Sequence, residues 1–191
     1  MPRTVVILHP GGFGDLLLAA PAIQGLRDRF PSHKFLLCGH DEASRLLAEC
    51  GLVDCWLPVH STALTALFGG KTPDDALLTE WLGRCDFAVA WNSDESDVLS
   101  AALNRCGARV AVVQSPFTST LTALHQSERY AAIAGVQTPS VPRLSVSDAL
   151  KAEGKKCLSY CVEGARPLAL VHPGSGSRHK CVRPDIMVQV L

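Results

Sequence analysis

Five short apolar runs recur along the first 113 residues and constrain the fold more than any other feature of the sequence. None of the runs alternates polar and apolar residues, so each predicted strand presents apolar side chains to both of its faces. Such strands are typical of a parallel sheet that is covered on both sides. The five predicted strands are residues 4–8, 34–38, 54–59, 86–91 and 109–113.

Segments with helical spacing of apolar residues separate these strands. The segment Pro-Asp-Asp at residues 73–75 is a favourable helix start, and Gly107 is a favourable helix end. Pro21 lies inside the first helical segment, which we expect it to kink or interrupt. The alternation of strand and helix predicts a doubly wound α/β domain.

The chain is predicted to contain one domain and the start of a second. Residues 135–148 are rich in Pro, Ser and Val and have the composition of a linker. We therefore predict a Rossmann-like domain at 1–142 and the beginning of a similar unit at 143–191, with a strand at 167–173. The second unit would stop after its first strand, turn and helix start, so we expect it to be truncated.

Composition excludes several classes of protein. The 18 basic and 18 acidic residues cancel, so nothing favours nucleic acid or anionic lipid as a general partner. No apolar run reaches the roughly 18 residues of a membrane span, and the opening run is too short for a signal peptide. We expect a cytoplasmic protein. Its eight cysteines lack zinc-site spacing, and we predict free thiols and neither a metal nor a cofactor.

The first glycine turn, His-Pro-Gly-Gly-Phe-Gly-Asp at residues 9–15, follows the first strand. Gly12 and Gly14 match the first two glycines of the dinucleotide fingerprint, but Leu17 occupies the third position. Asp15 would repel a phosphate from the helix start that follows. We therefore predict that this turn presents an ionised carboxylate, a candidate general base. The alternative is that Asp15 only caps the helix.

A second turn, Gly-Ser-Gly-Ser-Arg-His-Lys at residues 174–180, has the opposite chemistry. It contains no acid. Backbone and hydroxyl donors of Ser175, Gly176 and Ser177, with the charge of Lys180, predict a phosphate site. The alternative is a flexible polar loop.

Polar residues follow two further predicted strands at the same sheet edge. Asn92, Ser93 and Asp94 could bind hydroxyls or phosphates of an acceptor. The alternative is a helix cap, since Ser93 and Asp94 precede a helical segment. The loop 115–119, Arg129 and Tyr130 are weaker candidates. A lone histidine directly after a strand, such as His9, is more often a packed structural residue than a ligand-binding one.

Three stretches resemble the heptosyltransferase-type glycosyltransferases, family nine of that classification. They are residues 7–31, residues 125–136 with their His-x-x-x-Arg-Tyr pattern, and residues 167–180. The resemblance implies a GT-B fold, in which two Rossmann-like domains face each other across a cleft. It also implies that the N-terminal domain binds a sugar acceptor, and the C-terminal domain a nucleotide-diphosphate sugar, typically ADP-heptose.

The same resemblance implies the roles of individual residues. The family's catalytic base falls on Asp15, and its donor-phosphate contacts fall on Ser175, Gly176 and Lys180. Transfer inverts the anomeric carbon and extends the lipopolysaccharide inner core. Family members usually continue Lys-x-Trp-Pro, whereas Val182 and Arg183 stand here.

These features predict that the full-length protein is an inverting glycosyltransferase. This chain is expected to be an incomplete and inactive part of it. Its glycan or glycolipid acceptor would bring it to the inner face of the plasma membrane. Gly12, Gly14, Asn92 and Ser93 are the predicted acceptor-side residues. Two alternatives stay open: an NAD(P)- or nucleotide-binding Rossmann domain, and a degenerate interaction module without catalysis.

Overall fold

A five-stranded parallel sheet forms the centre of the first part of the chain. The structure is a computed structural model that describes residues 2–94, 96–137, 139–160 and 181–190. The strands are β1 (Thr4–Leu8), β2 (Lys34–Gly39), β3 (Cys55–Pro58), β4 (Cys85–Ala90) and β5 (Ala111–Val113). Every neighbouring pair is parallel. The five predicted strands and the parallel sheet are thus confirmed.

Helices connect the strands. In the described ranges they are α1 (Phe13–Leu18), α2 (Ala20–Arg29), α3 (Asp41–Glu49), α4 (Thr62–Phe68), α5 (Ala76–Leu82), α6 (Val98–Arg105), α7 (Gln126–Ile133), α8 (Asp148–Ser159) and α9 (Pro184–Val190). The expected interruption at Pro21 is confirmed, because α1 ends before Ala19 and Pro21 lies in the first turn of α2. A proline there removes no helical hydrogen bond.

Two of the predicted helix boundaries have the expected local chemistry. The Asp75 carboxylate accepts a hydrogen bond of 2.7 Å from the Leu78 N–H and caps the start of α5. Gly107, at φ 113°, follows the end of α6 in the left-handed region that glycine tolerates best.

Alternating side chains of the strands fill two separate cores. In β1, Val5 and Ile7 point to the face covered by α1, α2, α3 and α7. Val6 and Leu8 point to the opposite face, which α4, α5 and α6 cover. All four side chains are fully buried, which accounts for the absence of polar alternation in the sequence. Burying one such side chain stabilises the fold by roughly 1.5–3 kcal/mol.

The strand order creates a crevice at one edge of the sheet. The order is β3-β2-β1-β4-β5, so the chain leaves β1 toward one side of the sheet and leaves β4 toward the other. The carboxyl ends of β1 and β4 are neighbours, and their connections diverge. Ligands of open parallel sheets bind at this kind of switch point.

The chain divides into two compact units, Met1–Ser147 and Asp148–Leu191. The sheet belongs to the first unit, and α8 and α9 belong to the second. The strand predicted at 167–173 and the turn predicted at 174–180 lie outside the described residues. Across the described ranges, no helix has the length and apolar character needed to cross a bilayer.

Candidate functional site

A cleft of about 190 Å³ opens at the carboxyl edge of the sheet, at the β1/β4 switch point. It lies entirely within the first unit. Its walls come from the connections that follow β1, β4 and β5, with one side chain from α7. The lining residues are His9, Pro10, Gly11, Asp15, Trp91, Asn92, Ser93, Ser115, Pro116, Phe117 and Tyr130. A concave, partly aromatic surface with a few polar groups is typical of a small-molecule site.

Asp15 lies at the rim of this cleft with an exposed carboxylate. The helix begins at Phe13, with Gly12 as its cap residue, so Asp15 lies in the first helical turn, as expected of an acid at a helix start. Asp15 is the third residue of α1. Its carboxylate accepts no hydrogen bond from the residues that the structure describes, so the alternative role as a helix cap is wrong. The carboxylate is sterically available to a ligand.

The glycines of the first turn differ in what surrounds them. At Gly11, an added Cβ would lie 2.7 Å from Cε1 of His9 and 3.1 Å from Cβ of Asp15. Gly11 is therefore required for the close approach of these two side chains. Gly12 and Gly14 are exposed at the start of α1 and are not among the lining residues, so their acceptor-side role stays a prediction.

His9 is a buried histidine at the base of the cleft, with only 2% of its surface exposed. The Gly11 N–H donates to its Nδ1 at 3.2 Å. Burial lowers the pKa of His9 to about 4, although the nearby Asp15 carboxylate opposes this effect. The ring is therefore neutral at pH 7. Since Nδ1 accepts a hydrogen bond, the proton lies on Nε2, which has no partner among the described residues.

Aromatic rings hold His9 in place. Its ring centroid lies 5.7 Å from that of Trp91 and 5.2 Å from that of Tyr130, and Trp91 and Tyr130 lie 5.2 Å apart. The Trp91 Nε1–H donates to the Tyr130 carbonyl at 3.2 Å, which fixes the indole. Phe117, with 70% of its surface exposed, lies at the mouth. The base of the cleft is thus rigid and apolar apart from the His9 N–H.

Neighbouring residues of the segment after β4 have different roles, one at the helix start and two in the cleft. The Asp94 carboxylate accepts hydrogen bonds from the N–H groups of Leu99 (3.0 Å) and Ser100 (2.9 Å). Partial burial opposes ionisation of Asp94, but these bonds outweigh it and lower its pKa. The alternative of a helix-start role is therefore correct for Asp94 alone. Asn92 and Ser93 line the cleft and make no side-chain hydrogen bond within the described ranges.

The His-x-x-x-Arg-Tyr segment has a structural role in the first unit. His125 caps α7, and its backbone N–H donates to the Glu128 carboxylate at 2.9 Å. The Arg129 guanidinium holds the preceding loop by donating to three carbonyl oxygens, those of Pro116, Thr122 and Leu124. Tyr130 is the one residue of this pattern that lines the cleft. Arg129 therefore acts as a brace for the cleft wall.

The predicted donor-phosphate residues Ser175, Gly176, Ser177 and Lys180 lie outside the described residues, and their role stays a prediction. Within the described ranges, no group of three or more His, Cys, Asp or Glu side chains is placed to hold a metal ion.

The prediction that His9 is a packed structural residue is confirmed, and Trp91 is likewise part of the core, although both also line the cleft. Both follow directly after buried strands, at the edge where ligands bind, and this position was the available signal. What the sequence could not reveal is that β1 and β4 are neighbours, which brings the two rings together.

Comparison with known proteins supports the fold. No protein-family model and no curated protein matches the chain. A glycosyl transferase of family 9 from Veillonella parvula is similar in structure, with 13% identity and a TM-score of 0.66 over 98% of this chain and 58% of that one. The Escherichia coli ADP-heptose LPS heptosyltransferase II is similar too, with 18% identity and a TM-score of 0.56 over 86% and 52%.

The chain thus spans little more than half the length of either solved structure. At these identities the likeness is one of fold. The α/β glycosyltransferase fold predicted from the sequence is confirmed.

Proposed function

We propose that the first unit is the acceptor-binding part of an inverting glycosyltransferase. The enzyme would transfer a heptose or related sugar from a nucleotide-diphosphate donor to a hydroxyl of a glycan, such as a lipopolysaccharide core. One observation carries the proposal. The exposed Asp15 carboxylate has no partner among the described residues and stands at the rim of a cleft with an aromatic base and polar walls.

Asp15 would act as the general base. Its carboxylate accepts the proton of the acceptor hydroxyl while that oxygen bonds to the anomeric carbon. The bond from this carbon to the donor phosphate breaks on the opposite face, and its electron pair leaves with the diphosphate, so the configuration inverts. Proton transfer by a positioned base is worth about 10²–10⁴-fold in rate.

The donor side of the proposal depends on the second turn. Backbone and hydroxyl donors of Ser175, Gly176 and Ser177, together with Lys180, would stabilise the charge that grows on the leaving diphosphate. The name of the similar E. coli protein includes both ADP-heptose and LPS, which supports this choice of donor and acceptor. A glycolipid acceptor would place the reaction at the inner face of the plasma membrane.

A dinucleotide site at the first turn is less well supported. Leu17 stands where the third glycine of the fingerprint belongs, and its side chain packs against the core. The Asp15 carboxylate, which no cation of the described residues pairs, would repel a pyrophosphate at this helix start.

The test is a transfer assay on the natural gene product at its full length. Product formation from ADP-heptose and a lipopolysaccharide-core acceptor is followed by mass spectrometry, alongside release of ADP. We expect Asp15→Asn to lower kcat by about 10²–10⁴-fold, because only the proton acceptor is lost. Full activity in this variant would remove Asp15 from its role.

Asp41→Asn is the matched control. Asp41 is also an exposed aspartate in the first turn of a helix that follows a parallel strand, but it does not line the cleft. Its replacement should leave kcat within about twofold. An unmodified enzyme that transfers neither heptose nor a related sugar would favour the non-catalytic interaction module instead.

A further inference from the structure

The cleft is lined by a single charged side chain. Among the lining residues, all of which the structure describes, Asp15 is the only carboxylate and there is no lysine or arginine. The remaining polar lining groups are an imidazole, an amide and hydroxyls. An anionic ligand would therefore meet one negative charge and no compensating cation from this lining.

Arg129, a cation that approaches the cleft wall, is already engaged. Arg129 approaches the wall at Pro116, where its Nη1 donates to the carbonyl at 3.4 Å. Its Nε and Nη2 donate at 2.9 Å to the carbonyls of Leu124 and Thr122. All three nitrogens of the guanidinium thus hold the loop, and the side chain does not line the cleft.

His9 supplies a neutral donor at the base. Its Nδ1 is occupied by the Gly11 N–H, so Nε2 carries the proton and has no acceptor among the described residues. A buried donor without a partner is unfavourable, and a ligand oxygen that pairs with it removes this penalty. The buried rings of Trp91 and Tyr130 hold this imidazole in place, and the exposed ring of Phe117 at the mouth is the one that can pack against the apolar face of a sugar ring.

We propose that this cleft selects an uncharged, hydroxyl-bearing sugar ring, and that the His9 Nε2–H donates a hydrogen bond to one of its oxygens. Asp15 excludes rings that carry a carboxylate or phosphate, and His9 is a specificity-determining residue. The assignment of this ring to the acceptor rests on the proposed function, whereas the preference for an uncharged ring does not.

The test compares two probes that differ in one group, methyl α-mannoside and its C6-carboxylate analogue, methyl α-mannosiduronate. Each is titrated into the ¹⁵N-labelled 191-residue chain without any donor, and the indole N–H signal of Trp91 reports binding. We expect the neutral glycoside to bind more tightly, on the order of tenfold, as like charges in a partly solvated cleft require.

Three variants separate the contributions. Asp15→Asn should bring the two dissociation constants to within about twofold, because the repulsion is removed. His9→Asn keeps an acceptor for the Gly11 N–H but lacks the distal donor, and should weaken mannoside binding on the order of tenfold. His9→Gln places an amide N–H near the Nε2 position and should stay within about threefold of the unmodified chain.

Three results would overturn the proposal: equal or tighter binding of the uronate, equal affinities of the His9→Asn and His9→Gln variants, or no response of Trp91 to either probe. None of these results involves sugar transfer. A chain that prefers the mannoside but belongs to a protein without transferase activity would refute the proposed function and leave this inference intact.

Discussion

The aspartates at the two edges of the sheet differ in whether they are paired. At the amino edge, Asp86 at the start of β4 binds Arg3, His33 (2.9 Å) and Arg109 (3.2 Å). The side chain of Arg3 is the strongest of these partners and holds the pKa of Asp86 well below its usual range, although partial burial opposes it.

Asp54, just before β3, is bound in the same manner. Its carboxylate accepts hydrogen bonds from Arg27 (2.8 Å), Lys34 (2.7 Å) and the Phe35 N–H (2.9 Å). Together the two aspartates link residues at or beside the first positions of all five strands. The charges of the amino edge therefore stabilise the arrangement of the strands.

At the carboxyl edge, two polar groups of the cleft are left unpaired. The Asp15 carboxylate and the His9 Nε2–H have no hydrogen-bond partner in the part of the chain that the structure describes. Unsatisfied groups at a switch point are available to a ligand, whereas satisfied groups are not. A structural aspartate and a candidate catalytic aspartate therefore differ in whether the carboxylate is paired, and not in residue type.

The largest effect on stability should come from Asp86→Asn. This change removes the charge that binds Arg3, His33 and Arg109, so we expect the free energy of unfolding to fall by about 2 kcal/mol. Asp15→Asn, measured in the same urea titration at pH 7, should change it by less than about 0.5 kcal/mol. Equal losses in the two variants would break the contrast between the edges.

A somewhat smaller effect is expected for Gly11→Ala. The new Cβ would lie 2.7 Å from His9 Cε1, so the imidazole or the turn must move, at a cost of about 1–2 kcal/mol in unfolding free energy. Mannoside binding should weaken with it, because the His9 donor is displaced. A variant with unchanged stability and unchanged binding would show that His9 is not held by this contact.

The pH dependence of stability should follow the protonation of Asp86 at the amino edge of the sheet. Because the pKa of Asp86 is lower in the folded than in the unfolded chain, its stabilisation is present above about pH 4, its unfolded value, and is lost as the pH falls further. Below pH 4 the free energy of unfolding should decrease by up to about 1.4 kcal/mol per pH unit for this group. Asp86→Asn should reduce the decrease in unfolding free energy below pH 4. An unchanged slope would contradict the role assigned to Asp86.

The smallest effect should be that of Gly14→Ala, the matched control for Gly11→Ala. An added Cβ at Gly14 meets nothing within 4 Å, and alanine favours the helix, so stability should rise by about 0.5 kcal/mol. The transfer assay then tests the predicted acceptor-side role of Gly14. A higher KM for the acceptor would support Gly14 as an acceptor-side residue, whereas an unchanged KM would remove it from the site.

Much of the fold followed from local patterns. The continuously apolar runs predicted the strands because both faces of the sheet are covered, and Pro21 predicted the break between α1 and α2. Local patterns were less reliable at the first turn. They identified Asp15 as a functional candidate but left a helix-cap role open for it, and that position belongs to Gly12.

Local sequence patterns are enough to predict the alternation of strand and helix, the parallel class of the sheet and the presence of an acid after the first glycine turn. These properties depend on residues close together in the chain. In contrast, it is the folded chain that brings His9, Trp91 and Tyr130 to one cleft, and that pairs Asp86 while leaving Asp15 without a partner among the described residues. Strand order places β1 beside β4, so residues about eighty positions apart become neighbours, which no local pattern encodes.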